Sequence, residues 1–157
     1  MMDIVDRVLG LWAEPPPEGD DAVAAFRQVY ADPVWVNGTP MPVQELVDRA
    51  RLLHAAVEGL QLELLDRVDA PGRVAIAHRY RARHVGQLVT PLGAVAPTGR
   101  MLESLAIDIF TISDGLVTKI WVVGDELGRL LQLGAVALAP SPQDPTGSAS
   151  DPQVIAE

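Results

Sequence analysis

The chain has 157 residues, of which 48% are hydrophobic, so it can enclose one core without disulfide or metal cross-links. Its 12 basic and 21 acidic residues give a formal net charge of −9, which argues against binding to nucleic acid or to an anionic membrane surface. It has no cysteine, which excludes a thiol nucleophile and a Cys-based zinc site. Because the N-terminus lacks a signal-peptide pattern and no apolar run reaches about 20 residues, we expect a cytoplasmic protein.

The first third of the chain predicts three helices. Apolar residues recur at helical spacing in the first dozen residues, in residues 21–30 after an N-cap at Asp20, and from about Pro42 to Val57. Between the second and third helices, Asn37-Gly38 predicts a tight turn within an extended segment.

From Leu60 onward the hydrophobic period changes to two, which predicts strands. Long strands are expected over residues 73–84 and 102–113, and a hairpin turn at Asp114-Gly115 leads to a last strand ending near Val123. Helices followed by an antiparallel meander predict an α+β fold. A short terminal helix follows Asp125, so we expect one domain over residues 1–137 and a disordered tail over residues 138–157.

The strand RVAIAHRYRARH (residues 73–84) has two chemically different faces. One face carries His78, Tyr80 and His84 among apolar residues, and the other carries a row of arginines. The arginine face predicts a solvated or subunit-contact surface, and the histidine face predicts either core groups or a site.

Three segments in this order, YADPVWVNG, PTGR and DIFTISDGLVTKIWVVGDELGRLLQLG, resemble the SnoaL-like polyketide cyclases and ester cyclases of the nuclear-transport-factor-2-like superfamily. The similarity spans roughly residues 1–135. It implies a cone, in which a curved antiparallel sheet wraps around the N-terminal helices and encloses an apolar pocket. It also implies an intramolecular aldol closure with no metal and no cofactor, and an acid/base aspartate at Asp125. Some members have a histidine two residues earlier, where this chain has Val123.

Two interpretations of Asp125 stay open. It can be a catalytic acid/base beside Trp121 and Val123, because an apolar environment raises the pKa of a carboxyl group. It can also simply cap the terminal helix, a position that aspartate favours. The two roles are compatible, since one oxygen can cap while the other faces a pocket.

Other residues complete the predicted site. His84, which the resemblance places at a frequent histidine position of the family, is the second catalytic candidate, and Tyr80 can donate a hydrogen bond to an enolate-like oxygen. His78 and Asp108 are candidates for substrate binding or are paired structural groups. Candidate wall or mouth residues are Trp35, Asn37 and Trp121, with a plain turn as the alternative for Asn37. No metal site is expected.

The sequence thus favours a cofactor-free enzyme that performs aldol cyclisation or isomerisation on a small apolar or polyketide-like oxygenated molecule. A non-catalytic ligand-binding or assembly module of the same fold is the alternative. An epoxide hydrolase is less favoured, since the strand expected to supply part of its Asp–Arg–Asp set contains HRYRARH and no acid. The strand from Ser104 to Ile112 is apolar on both faces, which predicts a homodimer.

Overall fold

A computed structural model describes residues 2–142 of the chain, and these residues form four helices and eight strands. The three predicted N-terminal helices, the strands and the short terminal helix are all present. In chain order the elements are α1 (Ile4–Ala13), α2 (Asp21–Arg27), β1 (Tyr30–Val36), β2 (Thr39–Met41), α3 (Val43–Ala56), β3 (Val57–Ala70), β4 (Arg73–His84), β5 (Leu88–Thr90), β6 (Gly93–Val95), β7 (Met101–Ser113), β8 (Leu116–Gly124) and α4 (Glu126–Gln132).

Six strands form one curved, open sheet in the order β2-β1-β8-β7-β4-β3. The α+β prediction is confirmed. The sheet is mixed rather than wholly antiparallel, because β1 pairs in parallel with β8, whereas every other neighbouring pair is antiparallel. Strands β5 and β6 form a separate small hairpin between β4 and β7 in the chain.

The helices pack their apolar faces against the inner face of this sheet. Helix α1 begins at an Asp3 cap, whose carboxylate accepts from the Val5 amide at 2.7 Å, and it buries Val5 and Val8. Helix α3 buries its own stripe at helical spacing, and together these residues form the larger of two core clusters. A smaller cluster lies at the other end of β4. A cavity separates the two ends.

The predicted turns are confirmed and fix the strand register. Asn37 and Gly38 both have positive φ, 49° and 85°, as the tight turn between β1 and β2 requires. Asp114 and Gly115 do the same between β7 and β8, with φ of 51° and 76°. Helix α2 is shorter than predicted, and the prediction that Tyr30 belongs to it is wrong, since Tyr30 begins β1.

Residues 133–142 form no helix or strand. The predicted disordered tail begins at residue 138, and most of it, residues 143–157, lies outside the described residues, so the domain boundary stays a prediction. Within residues 2–142, none of the helices is long and apolar enough to cross a membrane.

Candidate functional site

A cavity of about 230 Å³ lies between the helices and the inner face of the sheet. Its walls are almost entirely apolar and come from α1, α3 and five strands. An apolar chamber with a few convergent polar groups is the usual form of a small-molecule site. The lining residues are Val8, Leu9, Trp12, Tyr30, Val36, Leu46, Arg49, Leu53, Leu62, His78, Tyr80, Ala106, Asp108, Phe110, Ile120 and Val122.

A histidine–aspartate pair is the main polar feature of this cavity. In the ladder between β4 and β7, Ile76 lies opposite Asp108 and His78 lies opposite Ala106, so His78 and Asp108 are diagonal neighbours on one face. Nε2 of His78 and Oδ2 of Asp108 are 3.0 Å apart, and the two side chains are only 15% and 12% exposed. With Asp108 ionised, the imidazole N–H donates to the carboxylate and fixes its orientation.

Each member of the pair has one polar atom that forms no hydrogen bond with the described residues. Nδ1 of His78 and Oδ1 of Asp108 are buried and have no hydrogen-bond partner within residues 2–142. Leaving such an atom unpaired costs about 1–3 kcal/mol. A ligand group that bonds to Oδ1 would remove that cost, so the pair is suited to receive one.

A buried tyrosine from β1 lies in the same cavity. Its hydroxyl accepts a hydrogen bond from the indole N–H of Trp12 at 2.8 Å, which leaves the phenol proton of Tyr30 for another acceptor. Burial raises the pKa of Tyr30, and the nearby Asp108 carboxylate adds to the shift, so Tyr30 stays a neutral donor. No described residue accepts that proton.

A second tyrosine, Tyr80, lines the cavity from β4. The Tyr80 hydroxyl accepts a hydrogen bond from Nη1 of Arg129 at 3.1 Å. The phenol proton of Tyr80 therefore also remains for another acceptor. The cavity therefore combines one carboxylate, one imidazole and two phenol donors in an apolar chamber. Such a set can move a proton at carbon and stabilise the oxyanion that results.

Residues 17–133 match the model of the family described as SnoaL-like polyketide cyclase. The chain belongs to the SnoaL-like polyketide cyclase family. Among curated protein sequences, none matches this one. The resemblance stated on the sequence motifs is confirmed by the family match, which covers most of the chain.

Solved structures share the same fold. TsrD from Streptomyces laurentii is 24% identical with a TM-score of 0.68, and the match covers 87% of this chain and 100% of TsrD. AclR from Streptomyces galilaeus, provisionally described as a hydroxylase, is 19% identical with a TM-score of 0.68, covering 85% and 95% of the two chains. IdmH from Streptomyces antibioticus, provisionally described as a polyketide cyclase, is 21% identical with a TM-score of 0.64, covering 85% and 99%. At these identities the likeness establishes the fold.

Asp125 does not lie where the SnoaL-like resemblance led us to expect it. It is exposed, it does not line the cavity, and its Oδ1 caps α4 by accepting from the Gly128 amide at 2.8 Å. Alternate residues of β8 point inward, and those that line the cavity are Ile120 and Val122. Asp125 follows the opposite, outward parity of Trp121 and Val123, so it acts as a helix cap outside this cavity, and its assignment as a catalytic group stays a prediction.

The other predicted wall and mouth residues also lie outside the cavity. Trp35 and Trp121 are 46% and 50% exposed on the outer face of the sheet. The side-chain amide of Asn37 makes two hydrogen bonds to the backbone of Val122. The amide oxygen accepts from the Val122 N–H at 2.8 Å, and the amide nitrogen donates to the Val122 carbonyl at 3.1 Å. None of the three residues lines the cavity, and the expectation that they contact substrate stays a prediction.

His84 is buried on the predicted face but is separated from the cavity. Its side chain is fully inaccessible, and Nδ1 accepts from the Thr98 amide at 3.2 Å and from the Thr98 hydroxyl at 2.9 Å. The Thr98 oxygen in turn accepts from the Arg100 amide. His84 thus anchors the PTGR segment and does not line the cavity, and its predicted catalytic role stays a prediction.

Of the predicted residues, the structure brings His78, Tyr80 and Asp108 together in the cavity. Sequence reasoning missed Tyr30 and Arg129. A buried tyrosine needs a partner for its hydroxyl, which is the signal that marks Tyr30, whereas nothing local marks Arg129. No group of three or more potential metal ligands occurs within residues 2–142.

Proposed function

We propose that this SnoaL-like chain catalyses proton transfer at a carbon atom next to a carbonyl group, in an apolar oxygenated substrate. The observation that carries the proposal is the hydrogen-bonded His78–Asp108 pair, which lines an otherwise apolar cavity beside two phenol donors. An apolar chamber strengthens each electrostatic contact with a developing charge.

The Asp108 carboxylate is the base in this proposal. Its Oδ1 removes a proton from the α-carbon, and the electron pair of the broken C–H bond moves into the carbonyl group to give an enolate. His78 holds the other carboxylate oxygen in place through its Nε2–H. The phenol protons of Tyr80 and Tyr30, for which the described residues offer no acceptor, stabilise the enolate oxygen.

Two outcomes follow from the same enolate. In an aldol cyclisation, its carbon attacks a second carbonyl of the same molecule, a C–C bond forms, and the proton held by Asp108 passes to the new alkoxide. In an isomerisation, that proton returns to a different carbon. Both balance without an oxidant or reductant, and side chains of this chain supply every proton transfer.

The experiment is α-proton exchange measured in D₂O by NMR. A panel of 1,3-dicarbonyl compounds and apolar ketones is incubated with the protein, and loss of the α-proton signal reports enolate formation whichever product follows. Asp108→Asn is expected to slow exchange by about 10²–10⁴-fold, since the base is lost.

Asp125→Asn is the matched control, because it makes the same chemical change at an aspartate outside the cavity and keeps a good helix cap. If the Asp108→Asn variant exchanges the α-proton as fast as the unmodified protein, the proposal is overturned. Binding of the panel without any exchange by the unmodified protein would favour the non-catalytic ligand-binding module instead.

We also propose that two copies of the chain associate through the outer face of the sheet. Leu105, Ile107, Ile109, Trp121 and Val123 are 39–75% exposed, and Ile107 pairs with Val123 and Ile109 with Trp121 across β7 and β8. Such a continuous apolar surface is typical of an interface. Alternating charges at its edge, where Arg79 and Arg81 bond to Glu63 and Glu103, suit a self-complementary two-fold contact.

Ile107→Glu is expected to convert the dimer into monomers, because it places a charge at the centre of the apolar surface. Sedimentation velocity measures the change. Leu92→Glu is the matched control, since Leu92 is 77% exposed in the turn between β5 and β6. A wild-type monomer, or a dimer that survives Ile107→Glu, would contradict this proposal. The cytoplasmic location stays a prediction.

A further inference from the structure

Helix α4 contributes no cavity-lining residue, but it places a cation against Tyr80, which lines the cavity. The Arg129 side chain is only 16% exposed, and its Nη1 donates to the Tyr80 hydroxyl at 3.1 Å. Its Nη2 donates to Oε2 of Glu126, one turn earlier in the same helix. Arg129 therefore contacts the hydroxyl of Tyr80 without lining the cavity itself.

The position of Arg129 is fixed by contacts along the whole of α4. The Asp125 carboxylate caps the first turn. The side-chain amide of Gln132 bonds twice to the backbone of Glu103 in β7, with both distances 2.8 Å. Leu130, next to Arg129, is buried. The guanidinium is thus held to the sheet rather than free to sample solvent.

The contact with Arg129 decides where the Tyr80 proton points. A phenol oxygen has one proton, and a guanidinium has donors only, so the Tyr80 proton cannot be directed at Arg129. No described residue accepts this proton, and Tyr80 lines the cavity, so the proton is available to an acceptor there. A cation bonded to the phenol oxygen also makes the O–H group a stronger donor, since charge-assisted hydrogen bonds polarise one another.

Arg129 keeps its charge in this position. Partial burial alone would lower the pKa of its guanidinium, but the hydrogen bonds to Glu126 and Tyr80 outweigh burial and hold the pKa above its ordinary value. Tyr30 differs, because its hydroxyl accepts from the neutral indole of Trp12. The two phenols of the cavity are therefore unequal donors, and Tyr80 is the stronger.

We infer that Arg129 is a positioning residue, which holds the Tyr80 hydroxyl with its proton toward the cavity and thereby makes Tyr80 the principal donor to the substrate oxyanion. This inference rests on the proposed function, because it concerns the same site. It assigns a role in the reaction to α4, and it connects Asp125 to the cavity only through the helix that Asp125 caps.

The test uses 4-nitrophenol as an oxyanion probe, because its ionised form absorbs visible light and its ionisation state in the cavity can be read directly. The background is Asp108→Asn, which removes the anion that would oppose a bound phenolate. In this background the bound probe is expected to ionise at lower pH than the free probe. Arg129→Met should lower the ionisation constant of the bound probe about tenfold, and Arg129→Lys should restore part of that loss.

A double-mutant cycle with Tyr80→Phe separates positioning from a general structural effect. Without the Tyr80 hydroxyl, Arg129→Met is expected to have no further effect on the probe. Arg49→Met is the matched control, since Arg49 is a cation at the cavity wall whose side chain pairs with Glu45 and not with Tyr80. Thermal unfolding of each variant shows that it is folded.

The outcomes distinguish the two proposals. If the bound probe in the Asp108→Asn background ionises no more readily than the free probe, the oxyanion site fails, and the proposed function and this inference fall together. If the bound probe does ionise more readily, two results would overturn the inference alone. One is that Arg129→Met lowers the ionisation constant of the probe equally with and without the Tyr80 hydroxyl. The other is that Arg129→Met lowers it no more than Arg49→Met does.

Discussion

Two histidines on the same face of β4 have opposite environments. His78 lines the cavity and bonds to the Asp108 carboxylate, whereas His84, six residues further along, is fully buried and bonds to Thr98. At the His84 end, Leu88, Leu102 and Leu133 fill the space inside the curved sheet. Around His78 that space forms the cavity of about 230 Å³.

The comparison shows which features identify a site on this fold. Both histidines have one ring nitrogen without a partner among the described residues, so an unpaired nitrogen alone does not distinguish them. The orientation of the side chains does not distinguish the two histidines either, because both point to the inner face of the sheet. The cavity and the adjacent carboxylate do, because they provide room for a ligand and a group that can exchange a proton with it.

The largest expected difference between the two ends is in catalysis. His78→Leu should slow α-proton exchange by about 10²-fold or more, since leucine has no donor to orient Asp108. His84→Leu should leave the rate per folded molecule within a few-fold of wild type. The NMR exchange assay measures both variants, and equal losses would show that the two histidines do not differ in their effect on the reaction.

The next difference is in stability. His84→Leu leaves the amide and the hydroxyl of Thr98 without their acceptor, so the free energy of unfolding should fall by about 1–3 kcal/mol. Urea denaturation should show a lower midpoint with an unchanged slope. A variant as stable as wild type would show that the PTGR segment does not depend on His84.

The smallest effect is expected at Asp125. Asp125→Ala removes the cap of α4 and should cost about 1 kcal/mol, whereas Asp125→Asn, which still caps, should cost much less. Both variants should retain α-proton exchange, which is measured beside their urea midpoints. Loss of exchange in Asp125→Asn would restore Asp125 as a reacting group and contradict the placement of the site at His78 and Asp108.

Local patterns were sufficient for most of the fold. Helical spacing predicted α1 and α3, period two predicted β4 and β7, and glycine turns such as Asn37-Gly38 predicted the hairpins, because each signal depends on neighbouring residues. The parallel pairing of β1 with β8 was not predictable in this way. It joins segments about 85 residues apart, such as Asn37 and Val122, and no local pattern specifies it.

Three members of the proposed site were already candidates from the sequence, but their arrangement was not predicted. The sequence analysis named His78, Tyr80 and Asp108 as candidates. The contact between His78 and Asp108 depends on the register of β4 against β7, and this register could not be predicted because residues 85–100 separate the two strands. Asp125 was misplaced because its apolar neighbours Trp121 and Val123 suggested a pocket. Those residues are apolar on the outer face, where we propose a second copy binds.

The parallel pairing of β1 with β8 also has a consequence for how the chain folds. Tyr30 enters the cavity from the first strand, but its segment has no sheet neighbour on that side until the last strand is available at Val117. During synthesis the hairpin of β3 and β4 can form early, whereas the cavity closes only after the ribosome has released β8. Closure of so long a loop is slow, so we expect the cavity to form late in folding and the nascent chain to be exposed to aggregation until then.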